Sequence, residues 1–191
     1  KGEISIDTET LGLNIKRDRL CLIQLRNESN KKIYLIKFDS ELSAKKSKNL
    51  KLIMENRSLR KIFHYARFDM AVLKENLNIN VKNVFCTKIA SKLTRTYSSK
   101  HGLKDLVKEL LNKELDKNEQ TSDWSRKKLS KLQVQYAIND ILYLEGLKII
   151  LETKLEDLKR IKIFNSIMKF LETRVELDLM GWESTDIFAH K

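Results

Sequence analysis

The chain has 191 residues, enough for one sizeable core, and its apolar runs all fall short of the roughly 18 to 20 residues that a membrane span requires. Its 38 Lys and Arg stand against 26 Asp and Glu, a formal charge of +12, which favours a polyanionic partner such as nucleic acid. These features imply a soluble, cytoplasmic, single-domain protein and argue against a membrane protein or a disulfide-stapled secreted module.

Lys1 already stands at the edge of a strand, which implies that a short segment with the start methionine precedes it. In ISIDTETLGL, Ile4, Ile6 and Thr8 alternate with Ser5, Asp7 and Glu9. A strand over 3–8 therefore puts both carboxylates on one face, with Cα atoms about 6.8 Å apart. That arrangement is a pincer for a cation; it also fits a half-exposed strand with a polar face. Strands over 20–27 and 32–37 complete a meander. Cys21 and Cys86 sit in the apolar segments LCLIQL and NVFCT, outside any C-x-x-C or Cys/His pattern, so two buried thiols are expected rather than a disulfide.

A helix over 46–56, a strand over 60–64 and a helix over 67–77 follow. The last begins beside Asp69 in KIFHYARFDMAVL, where an aspartate also serves the helix dipole. After a short strand over 83–86, a helix over 87–95 carries Lys88, Lys92 and Arg95 at i, i+4 and i+7, just before Tyr97, Lys100 and His101. Such a face tracks a phosphate backbone or is simply solvated. Leu103, Leu106, Val107, Leu110 and Leu111 mark a helix through HGLKDLVKELLN, and 112–129 reads as a loop.

Ser130-x-x-Gln133 is a capping box that starts a helix over 131–157. Tyr136 and Asp140 share one face of that helix, about 6 Å apart along its axis. Leu132, Ile141, Leu144, Leu147, Ile150 and Leu151 supply the stripe that docks it on a sheet. A final helix over 159–174 leads into RVELDLMGWESTDIFAHK, whose apolar residues, from Val175 to Phe188, are too dense for a disordered end, so the tail should dock. Trp124, Trp182 and Phe188 read as packing or subunit-contact residues.

Three antiparallel strands followed by alternating helices and strands make an α/β protein with a mixed central sheet flanked by helices, compatible with a ribonuclease-H-like fold. In it Asp7 and Glu9 lie mid-sheet, and the helices bearing Asp69 and Tyr136/Asp140 are expected to cover that same face.

DTET, the Asp69 segment and Tyr136-Ala-Ile-Asn-Asp140 resemble the three motifs of the DEDD superfamily of 3′→5′ exonucleases, in its tyrosine-bearing branch. HGLKDLVKELL with SDW resembles ribonuclease D. The segments KIFHYARFDMAVL, VFCTKIASKLTRTYSSKHGLK and LDLMGWESTDIFAH look most like the short stand-alone nano-RNase C group, which degrades short oligoribonucleotides. The resemblance implies an exonuclease domain over 1–157, with 158–191 packed on it or at a subunit interface. It implies two divalent cations, Mg²⁺ or Mn²⁺, with Asp7, Glu9 and Asp140 on one ion, Asp7 bridging to the second and Asp69 reaching it through water. Tyr136 would orient the attacking water, and in-line attack would release a 5′-monophosphate.

For substrate contacts the resemblance suggests Thr8 and Leu11 against the terminal nucleotide, with Leu11 wedged between bases or, on its sequence alone, a core residue. His64 and Arg67 bracket the turn into the Asp69 helix, near the scissile region, although a structural histidine fits there as well. Lys88, Arg95 and His101 complete the set. The implied partner is short single-stranded RNA, or DNA, and the implied assembly is a homo-oligomer, by resemblance a ring-like octamer. Trimming of longer RNA 3′ ends and a non-catalytic nucleic-acid-binding module are the competing readings.

Overall fold

Alternating β-branched and polar residues give β1 (Glu3–Thr10), β2 (Leu20–Asn27) and β3 (Ile33–Lys37) in the computed structural model, which describes residues 2–39, 48–115 and 121–190. These three strands pair antiparallel. Arg60–Phe63 (β4) adds parallel to β1, and Val84–Cys86 (β5) adds parallel to β4. The strand order β3-β2-β1-β4-β5 leaves β1 in the centre, two residues longer than its sequence pattern suggests. A central strand cannot slip without exposing its whole buried set, so the positions of Asp7 and Glu9 are fixed by the packing of Ile4 and Ile6.

The helices are α1 (Lys48–Glu55), α2 (Ala66–Leu77), α3 (Thr87–Thr94), α4 (Leu103–Leu111), α5 (Lys131–Leu142), α6 (Leu144–Asp157) and α7 (Ile161–Leu177). The first two residues expected in α1, 46 and 47, lie outside the described residues, as do 116–120 of the long loop. One sheet face packs Ile4, Ile6, Ile23, Leu25 and Phe63 against α1, α2 and the buried Leu171 and Val175 of α7. The other packs Ile62 and Phe85 against α3, α4, α6 and Phe164, and Leu22 against Tyr136 and Ala137 of α5. The helices bearing Asp69 and Asp140 therefore cover opposite faces, not the same one. Strand alternation is the cause: Thr8 points to the α2 side, whereas Asp7 and Glu9 point to the α5 side.

The helix expected over 131–157 is two helices, parted at Tyr143, where ψ is −1°. Arg26 on β2 donates to the Leu142 carbonyl at 3.0 Å and pairs with the Glu28 carboxylate at 2.8 Å. Glu28 in turn accepts from Ser5 Oγ at 2.5 Å. The end of α5 is thus tied to the strands that carry Asp7. Leu132, expected in the apolar stripe, is 67% exposed. The buried positions of α5 are Gln133, Tyr136, Ala137 and Ile141, and one residue before Gln133 is a turn of about 100° away from them.

The capping box forms as its sequence requires. Ser130 Oγ accepts from the Gln133 amide at 3.1 Å, and Gln133 Oε1 accepts from the Ser130 amide at 2.9 Å. Gln133 Nε2 also donates to Ser122 Oγ and the Asp123 carbonyl, at 3.0 and 2.9 Å, which secures the preceding loop. Ser130→Ala should cost about 1 kcal/mol in a denaturant titration; an unchanged midpoint would show that the cap contributes nothing.

Candidate active site

The sheet and α5 bring three carboxylates to one point. One oxygen each from Asp7, Glu9 and Asp140 lies within 4.8 Å of the others. Asp69 arrives from α2, only 3% exposed, and its Oδ1 accepts from Thr8 Oγ1 at 2.7 Å. Thr8 is therefore the link between the two faces, its backbone flanked by Asp7 and Glu9 and its hydroxyl holding Asp69. Tyr136 is buried beside the cluster with its ring 5.9 Å from that of Trp124, tilted at 45°, so Trp124 is a packing residue that braces the phenol.

Four acids around a half-enclosed cleft repel one another and are poorly solvated. Burial, then the charges of Asp69, Asp140 and Glu9, hold the Asp7 carboxyl well above the ordinary range. Burial and then Asp140 do the same to Glu9. Burial pushes Asp69 up to about 7 despite the Thr8 hydrogen bond that opposes it. Tyr136 is also raised far above its ordinary value, first by burial and then by Asp140 and Glu9, so its phenol stays protonated. An all-oxygen donor set of concentrated negative charge suits a hard divalent cation such as Mg²⁺ or Mn²⁺.

Gln24 is a site residue that the sequence reading passed over. It is fully buried in β2 directly opposite Asp7, and its Nε2 donates to Glu9 Oε1 at 3.2 Å. Its signal was present: a single amide inside the apolar run LCLIQL has no reason to be buried unless something polar faces it.

The four acids and Tyr136 line a cleft of about 520 Å³. Of the residues expected to touch substrate, Thr8, Leu11, His64 and Lys88 lie in its wall, with Leu11 half exposed at the rim. His64 Nδ1 bonds Thr87 Oγ1 at 2.9 Å, and Lys88 Nζ sits 4.2 Å from the centre of the Tyr65 ring, another wall residue. Arg67, Arg95 and His101 lie outside the wall. Arg95 is fully buried, its guanidinium paired with Glu109 and bonded to Ser91 Oγ and the Lys100 carbonyl. Lys88, Lys92 and Arg95 consequently do not form one solvent-facing basic stripe. His101 Nδ1 bonds Ser91 Oγ at 2.8 Å, and Arg67 is bidentate to Asp178.

Residues 1–156 match the family model described as 3′-5′ exonuclease. The chain belongs to the 3′-5′ exonuclease family. It is 49% identical to NrnC of Brucella melitensis, which has been solved bound to pGG; the match covers 99% of this chain and 90% of that one with a TM-score of 0.92. A structure of the same Brucella protein with bound Mg²⁺ matches at 48% identity. A ribonuclease D of Desulfotalea psychrophila is 30% identical over 152 residues, 80% of this chain and 39% of that protein; the chain thus spans about two-fifths of the length of the curated relatives it matches. Ribonuclease D of Escherichia coli, at 23% identity, 91% of this chain, 44% of that one and a TM-score of 0.78, shares the fold. The fold is the ribonuclease-H-like one that the strand order suggested.

The raised carboxyl of Asp69 has a consequence for stability. Between its ordinary value near 3.8 and about 7 the folded protein binds more protons there than the unfolded chain, so this group's contribution to stability falls as pH rises through that window. Asp69→Asn keeps an acceptor for Thr8 and removes the charge. In EDTA the variant should be more stable than the parent by at least about 1 kcal/mol at pH 8, with the gap closing toward pH 4. A gap that is absent, or that widens in acid, would contradict the assignment.

Proposed function

We propose that this chain is a metal-dependent 3′→5′ exoribonuclease that hydrolyses short oligoribonucleotides, dinucleotides included, to 5′-monophosphates with two divalent cations. The observation that carries the reading is the meeting of Asp7, Glu9 and Asp140 oxygens within 4.8 Å, from residues 133 positions apart at the extremes, at the base of a cleft. The 49% identity to a protein solved with pGG supports a short RNA as the substrate.

In this reading Asp7, Glu9 and Asp140 would hold one cation, and Asp7 with Asp69 the second. When bound, such a pair lowers the pKa of water and stabilises the leaving oxygen of an in-line displacement. The chain's own residues do the rest. Tyr136, kept neutral by its surroundings, is a poor base and a good hydrogen-bond partner, and it orients the attacking water. Gln24 fixes the rotamer of Glu9, and Thr8 that of Asp69. Leu11 at the rim offers an apolar surface to a terminal base, and Lys88 a cation to the chain's phosphate. Arg67, Arg95 and His101 act through the fold rather than by touching RNA, because their polar groups bond to neighbouring protein.

The same reading takes the protein to be cytoplasmic and a homo-oligomer, a ring-like octamer. Support for association comes from the exposed Met180, Trp182, Ile187 and Phe188 near the end of the chain. Among the described residues no helix is long and apolar enough to cross a membrane.

Incubation of 5′-labelled RNAs of two to about twenty nucleotides with Mg²⁺, Mn²⁺ or EDTA tests the activity. Hydrolysis that needs the metal and is fastest on dinucleotides is expected. Length-independent trimming would favour a ribonuclease-D-like role, which the 30% identity to ribonuclease D supports, and binding without cleavage would favour a non-catalytic module. Asp7→Ala and Asp140→Ala should lower kcat by at least about 10³-fold, and Tyr136→Phe by less, since the carboxylates remain. Wild-type rates in either alanine variant would refute the reading, and a monomer in light scattering would refute the oligomer.

A further inference from the structure

The segment after the matched family region is connected to the active site by a buried charge cluster. Asp178, 7% exposed, begins the turn Asp178–Trp182 that follows α7. Its carboxylate accepts from Arg67 Nε at 2.5 Å and Arg67 Nη2 at 2.7 Å, and from Arg174 Nη2 at 2.8 Å. The two arginines then reach past it. Arg67 Nη2 donates to the Glu183 carbonyl at 2.7 Å, and Arg174 donates to the carbonyls of Trp182 and Thr185 at 2.5 and 3.1 Å. Gly181, at φ 103°, turns the backbone so that these carbonyls face the arginines, a conformation that other residues rarely adopt.

Arg67 is in the first turn of α2, two residues before Asp69. The N-cap of that turn, Tyr65, is in the left-handed region at φ 68° and makes no side-chain capping bond. A non-glycine residue there costs on the order of 1 kcal/mol or more and persists only when its surroundings hold it. Tyr65 and Asp69 both line the cleft.

We propose that Asp178 is a positioning residue for Asp69: through the bidentate bond to Arg67 it locks the first turn of α2, so that the C-terminal segment completes the active site from outside the matched domain. A bidentate arginine–carboxylate pair fixes direction as well as distance, and a displacement of about 1 Å in a catalytic group can cost on the order of 10²-fold in rate. The catalytic consequence rests on the nuclease reading above; the structural one does not.

The control is a neighbouring tie between α2 and α7 itself. Lys74 near the far end of α2 pairs with Glu176 of α7 at 2.7 Å, well away from the first turn. In Asp178→Asn, amide hydrogen exchange over residues 66–69 should quicken by about fivefold or more, and in Glu176→Gln by less than about twofold. With a dinucleotide substrate, Asp178→Asn should lower kcat by about tenfold with KM within about twofold of the parent, whereas Glu176→Gln should leave both unchanged. If Asp178→Asn does not fold, Arg67→Lys serves, since it keeps the charge and loses the fork. Unaltered exchange over 66–69, or a kcat loss no larger than the control's, would overturn the proposal. If the parent cleaves no RNA, the nuclease reading fails while the exchange result still decides whether the clasp exists.

Discussion

Mutual repulsion of carboxylates in a poorly solvated cleft is the constraint on which the site depends. Burial first, and then the charges of neighbouring members, Asp140 in every case, raise the carboxyls of Asp7, Glu9 and Asp69. Left to themselves such groups would take up protons or turn toward water. They stay together because each is attached to an element whose position is decided by apolar packing elsewhere. The sheet fixes Asp7 and Glu9 through Ile4 and Ile6, α2 fixes Asp69 through Met70 to Leu73, and α5 fixes Asp140 through Ala137 and Ile141.

Polar contacts then refine what packing places. Gln24 holds Glu9 from the neighbouring strand, and Thr8 holds Asp69 on the α2 side of the sheet. Arg26 ties the end of α5 to β2. Stability and function pull in opposite directions here, since the repulsion that loosens the metal-free fold is the property that makes the cluster receptive to a divalent cation. The chain's formal charge of +12 coexists with this acidic centre, and Lys88 brings one of its cations into the cleft wall.

The order of elements and the meeting of Asp7 and Glu9 with Asp140 were legible because these residues sit in local patterns: strand alternation around Asp7 and Glu9, and a capping box that sets the phase of Tyr136 and Asp140. What was not legible depended on contacts between distant segments. Nothing local to Asp69 says that its helix covers the opposite face from α5; that follows from the parity of Thr8 in β1. The break at Tyr143 has no proline to announce it, and Arg26, which bonds the last carbonyl of α5, lies 116 residues before Leu142 in sequence. Arg95 looked available because helical spacing aligned it with Lys88, but Glu109 on the next helix takes it into the interior. Arg67 brackets the turn into α2, and its partner there, Asp178, lies 111 residues downstream, beyond the reach of any local pattern.

Anomalous scattering from crystals grown with Mn²⁺ tests whether the acidic cluster holds divalent cations. A strong peak is expected within the carboxylates of Asp7, Glu9 and Asp140, and a second toward Asp69. Crystals with Mn²⁺ at millimolar concentration that show no peak among these oxygens, or show the ions only at other acidic groups, would contradict metal binding there.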